Sequence, residues 1–69
     1  MLVIDSRAVQ AAMLKARVGV VQLARLAKMR ANTISELSRI DKPVRNATLL
    51  RLADVLQIEP MTLVKAVSV

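Results

Sequence analysis

The chain has 69 residues, 55% of them hydrophobic, and 11 Lys and Arg against five Asp and Glu give a formal net charge of +6. That length allows one small domain, and the absence of Cys and His removes disulfides, the commonest metal ligands and the commonest general base. The absence of Phe, Trp and Tyr counts against base stacking on a polyanionic partner of this basic chain, whereas major-groove reading by Arg, Asn, Gln, Ser and small apolar side chains stays open.

Residues 1–4 are apolar, β-branched and too short for a helix, which predicts a strand. No basic n-region precedes them, which argues against a signal peptide, and no apolar run reaches the roughly 20 residues of a membrane span. Asp5 or Ser6 is expected to cap a first helix, with Val9, Ala12, Met13 and Ala16 as its apolar stripe, Arg17 in its last turn and Gly19 as its stop. A second helix runs from Val20 or Val21 to Ala27 or Lys28, with Leu23, Ala24 and Ala27 inward. The small Ala24 lets another helix cross closely. Lys28, Met29 and Arg30 make a turn. A third helix covers residues 31–38, with Ile34 and Leu37 inward and Asn32, Ser35, Glu36 and Arg39 outward.

Residues 40–45 predict a loop, because Pro43 bars a continuous helix. Asn46 is the expected N-cap of a fourth helix with Leu49, Leu52, Ala53 and Leu56 buried, and Pro60 opens a short fifth helix over residues 60–64. Residues 65–69 alternate and are β-branched. They suit a strand paired with residues 1–4, within the chain or across a dimer, or else a frayed helical tail. Arg25, Lys28, Arg30, Arg39, Lys42 and Arg45 crowd the stretch 25–45, where only Glu36 and Asp41 oppose them.

Two short helices sharing an apolar core across a tight turn, the second with its polar face free, have the shape of a helix-turn-helix whose second helix enters the major groove. The run Leu23-Ala24, Ala27, Thr33-Ile34-Ser35, followed by Lys42-Pro43-Val44-Arg45-Asn46-Ala47-Thr48-Leu49, Leu52-Ala53, Leu56, Pro60 and Leu63, resembles the Cro/CI-type (phage-repressor-like, XRE) helix-turn-helix family. The spacing after Pro43 and the strand-like ends are similar to its short YozG-like subgroup. The resemblance covers essentially the whole chain. It implies an all-α, five-helix lambda-repressor-like DNA-binding domain over residues 1–69, with short strands at its two ends. Four places depart from the family pattern: Lys28 stands for the usual turn Gly, Arg30 for a Ser cap and Val20 for a phosphate-binding Gln. Met13 and Ser38 replace an Arg–Glu ion pair, a joint loss far milder than losing one partner.

Base readout is expected of Arg30, Ala31, Asn32, Ser35 and Glu36. Asn32 can bond adenine bidentately or cap the third helix. Arg30 can meet guanine or a phosphate, Ala31 a thymine methyl, and Ser35 a base or phosphate. Glu36 can accept from cytosine N4 or pair with Arg39 at i, i+3. Phosphate contacts are expected of Lys28, Arg39, Lys42, Arg45 and Asn46, the last at a helix N-terminus; the alternative is a solvated basic loop. Leu26, Leu50 and Val67 fit the core stripes poorly and suit a dimer contact.

The expected function is sequence-specific binding of double-stranded DNA by a transcriptional regulator, a cytoplasmic, nucleoid-associated homodimer on a palindromic operator. An antitoxin or adaptor-type protein-interaction module on the same fold is the alternative. A membrane-surface peptide fits worse, because the apolar positions are spread over several short helices. No catalytic residue, metal or cofactor is expected: without His, Cys or Tyr, a Ser, Thr or Lys nucleophile has no obvious base, and the five carboxylates are scattered.

Overall fold

A computed structural model describes residues 2–67, with side chains to residue 65. Met1, Ser68 and Val69, at the ends of the expected strands, and the Val67 side chain lie outside that description. The elements run β1 (Leu2–Ile4), α1 (Ser6–Ala16), α2 (Val20–Ala27), α3 (Ala31–Leu37), β2 (Pro43–Val44) and α4 (Asn46–Leu56). A single 3₁₀ turn (Pro60–Leu63) and β3 (Val64–Val67) complete the chain.

The expected all-α, five-helix architecture is therefore corrected to four α-helices, a 3₁₀ turn and a three-stranded sheet in the order β2-β1-β3. Pro60 does open a helical turn, but β-branched Val64 enters the sheet before a second turn forms. β3 pairs antiparallel with β1 within the chain, Leu2 opposite Val67 and Val3 opposite Ala66, with a bulge before Ile4 opposite Val64. The expected loop 40–45 likewise contains β2, whose Pro43 and Val44 lie opposite Val3 and Leu2. Proline is tolerated there because β2 is an edge strand and needs no outward N–H.

The expected cap of α1 holds at Asp5, while other helix ends are corrected. Asp5 caps α1, accepting from the N–H groups of Arg7 at 3.0 Å and Ala8 at 3.4 Å. Gly19 does not stop α1; it has φ −92° and is the N-cap of α2. Three helices, α1, α2 and α4, instead end on left-handed non-glycine residues, Arg17 (φ 58°), Lys28 (φ 57°) and Gln57 (φ 55°). Each costs about 1 kcal/mol relative to Gly, offset by a shared closing pattern. The next residue donates its N–H back into the helix, Val18 to Met13 at 3.0 Å, Met29 to Ala24 at 2.8 Å and Ile58 to Ala53 at 3.0 Å. Val18, Met29 and Ile58 then pack their apolar side chains against the core. Asn46 is not the cap of α4 but its first helical residue; Arg45, in extended conformation, is the N-cap and makes no side-chain capping bond.

The core lies between the helices and one face of the sheet. Ile4, Leu23, Leu52 and Leu63 are wholly buried, and Val9, Ile34 and Leu37 nearly so. Each such side chain contributes about 1.5–3 kcal/mol of transfer free energy. The buried face of α2 is Leu23, Ala24 and Ala27, two of them small, which permits the close packing of α2 on α3.

Candidate nucleic-acid interface

At 100° per residue, the burial of Ile34 and Leu37 directs the opposite side of α3 to solvent, and Asn32 and Glu36 lie there one turn apart. Ser35 sits beside them, half-buried. Asn32 is exposed, and its amide makes no hydrogen bond among the described residues. It is the second residue of α3, so it does not cap the helix; the N-cap is Arg30, which offers no side-chain capping bond. The Arg30 side chain is thus exposed at the N-terminal end of α3. Ala31 is half-buried and presents less of itself to a ligand.

The i, i+3 pairing of Glu36 with Arg39 does not form. Glu36 Oε1 instead accepts from Lys42 Nζ at 2.5 Å, and Arg39 Nε turns back to donate to the Ser35 carbonyl at 3.2 Å. The hydrogen bond and charge of Lys42 hold the Glu36 carboxyl below the usual carboxylate range. Lys28 is exposed in the turn between α2 and α3, and Arg45 and Asn46 are exposed where α4 begins. The first N–H groups of α4 have no side-chain cap, an arrangement suited to an anion. Both acidic residues of the region are engaged by lysines, Glu36 by Lys42 and Asp41 by Lys65, while Arg30, Arg39 and Arg45 enter no ion pair among the described residues. The field over this face is accordingly positive.

Two anchoring contacts were not expected from the sequence. Gln10 donates its side-chain amide to the Ser38 carbonyl, tying α1 to the end of α3 close in sequence to where the family pattern would put an ion pair. Asp41 pins the loop after α3 to the start of α1: its Oδ1 accepts from the Ser6 N–H and hydroxyl, both at 2.8 Å, and its Oδ2 from Lys65 at 2.6 Å. Gln10 stands alone among apolar residues of α1, but Asp41 lies among Arg39, Lys42 and Arg45, and nothing in its surroundings marks a contact with Ser6, 35 residues away. Gln22 is a further exposed amide on the first turn of α2, two residues after Val20, which stands where the family pattern has a phosphate-binding Gln.

Hydrogen bonds from Lys65, then from Ser6, hold the Asp41 carboxyl well below its ordinary range, and Asp41 pushes the Lys65 ammonium up. A depressed carboxyl stabilises the fold above its unfolded pKa of about 3.9 and loses that contribution as pH falls; a raised ammonium stabilises below about 10.4 and loses it as pH rises. The difference in thermal midpoint between wild type and Asp41→Asn should therefore be level from about pH 5 to pH 9 and shrink on both sides. Melts followed by circular dichroism from about pH 2 to about pH 11 check it; a difference that stays constant down to about pH 2 would contradict it.

Among the described residues, no helix is long and apolar enough to cross a membrane. The family model of Cro/C1-type HTH DNA-binding domains matches residues 9–68. No curated protein matches the chain.

Proposed function

The chain belongs to the Cro/C1-type helix-turn-helix family of DNA-binding domains, and from that premise we propose that it is a sequence-specific transcriptional regulator working as a homodimer on a palindromic operator. The observation that carries the reading is the solvent-facing ridge of α3, Asn32, Ser35 and Glu36, flanked by guanidinium groups that no carboxylate neutralises. Asn32 reads adenine, and Ser35 and Arg30 reach a base edge or phosphate. Ala31, half-buried, supplies at most a thymine-methyl contact. Lys28, Arg39, Arg45 and Asn46 hold the backbone on either side and set the register of the helix in the groove.

One seven-residue helix makes too few base contacts to find a site among many competitors, which is the physical reason for a dimer. The exposed Leu26 and Leu50 offer it an apolar surface. Two copies would place their α3 helices about 34 Å apart, one turn of the duplex. Such a regulator meets its target in the cytoplasm, at the nucleoid, and the subgroup assignment rests on the spacing after Pro43 and the paired strands.

Selection of bound sites from random duplexes tests the reading. Enrichment of an inverted repeat with half-site centres one helical turn, or a multiple of it, apart is expected. If no sequence is enriched and binding is not salt-dependent, the regulator reading fails and a protein-interaction module of the antitoxin or adaptor kind takes its place.

A further inference from the structure

A carboxylate on a surface that faces phosphates is an electrostatic liability unless something offsets it. Glu36 sits on the outer face of α3, one turn from Asn32, with its side chain 44% exposed. Its charge is offset by Lys42, which donates to Oε1; Oε2 accepts no hydrogen bond among the described residues. The lysine is also unusually well founded. Its own carbonyl accepts from the Ile4 N–H at 2.9 Å, and the next residue, Pro43, lies in β2 opposite Val3. The preceding residue, Asp41, is tied to Ser6 and Lys65. The anchored backbone fixes where the flexible Lys42 side chain starts, and from there its ammonium reaches Glu36.

The chemistry left at Oε2 is that of a pure acceptor. In the major groove only cytosine N4 and adenine N6 offer donors, while guanine O6 and thymine O4 would face the carboxylate oxygen with like polarity. Adenine also presents its N7 acceptor beside the amino group, which suits an amide such as that of Asn32 better than a carboxylate. We infer that Lys42 acts through Glu36: the pair aims Oε2 at cytosine N4 and keeps the Lys42 charge from binding phosphates indiscriminately. Lys42 is thus a positioning residue for base choice and not one of the phosphate clamps. This rests on the DNA-reading function proposed above and assigns to that ridge its second base.

The test uses the full chain as wild type, Glu36→Gln, Lys42→Met, Lys42→Arg and the double variant Glu36→Gln/Lys42→Met. Each is titrated with the selected duplex, with duplexes carrying all four bases at each half-site position, and with a scrambled duplex, at two salt concentrations. Wild type should prefer cytosine at one position by about tenfold or more over guanine and thymine. Glu36→Gln should lose that preference at that position alone. Lys42→Met should weaken it at the same position with little change in salt slope, Lys42→Arg should largely restore it, and the double variant should resemble Glu36→Gln. Uniform weakening on every duplex by Lys42→Met, with a salt slope lower by about one and base choice intact, would make Lys42 a phosphate clamp and overturn the inference. So would a Glu36→Gln profile identical to wild type at every position. A wild type with no preference anywhere sinks the regulator reading itself, so the two failures are distinguishable.

Discussion

Replacing Arg51 by Asp is expected to split the homodimer proposed above and to lower affinity for a two-half-site duplex by about two orders of magnitude or more, with half-site affinity nearly unchanged. The expectation comes from one surface of α4 and α2. Leu50 and Leu26 are 55% and 53% exposed, a poor use of leucine in a monomer. Two adjoining shallow clefts run between them, one walled by Leu50, Ala53, Ile58 and Pro60, the other by Leu26, Ala27, Lys28 and Val55. Arg51 and Asp54 line both. These two charges stand one turn apart on α4 and form no ion pair among the described residues. Such a patch is complementary to itself. A two-fold axis through it sets Arg51 of each copy against Asp54 of the other, with the leucines between.

That geometry makes a demanding prediction. Arg51→Asp alone places Asp against Asp, and Asp54→Arg alone places Arg against Arg, so each variant should sediment as a monomer. Mixed together, one all-acidic and one all-basic patch restore both contacts, and the two variants should form a heterodimer that again binds the palindrome. If both single variants remain dimeric in sedimentation, this face is not the interface. If wild type is monomeric even on its duplex, the dimer itself is wrong.

What the sequence makes legible is the local part of the fold. Leu23, Ala24, Ala27, Ile34 and Leu37 declare their burial through spacing alone, since the α2–α3 pair is built from contacts within fifteen residues, and all five are buried. Pairs distant in the chain are different. β2 is two residues long and begins with Pro43, so no periodicity marks it; it exists because β1 lies beside it. The lone glycine, Gly19, begins α2 and ends no helix. Arg17, Lys28 and Gln57 take the left-handed position because Val18, Met29 and Ile58, one residue later, gain burial by it. The ridge of α3 could be read as a helical face, but the Glu36–Lys42 pair could not. Helical pairing rules reach only three or four residues, and Lys42, six away, is carried to Glu36 by a loop held at Ser6 and Ile4.

Asn32→Ala should abolish most of the discrimination between operator and scrambled duplex while leaving the fold intact. A bidentate amide–adenine contact contributes about 1–3 kcal/mol of discrimination. A dimer makes the contact twice, so the specificity ratio should fall by roughly 30-fold at the least. The substitution separates reading from stability unusually well. The Asn32 amide makes no hydrogen bond among the described residues and does not cap α3, so its loss orphans nothing, and Ala is the better helix former by a few tenths of a kcal/mol. The thermal midpoint should therefore hold or rise slightly. Affinity for scrambled duplex should hold too, since the cations at Lys28, Arg39 and Arg45 are untouched. The decisive measurement is the pair of titrations at one salt concentration. An equal loss on both duplexes would assign Asn32 to the backbone, because a phosphate contact carries no sequence information directly, whereas a loss confined to the operator, and abolished when one half-site adenine is replaced, is the signature of a base edge read directly.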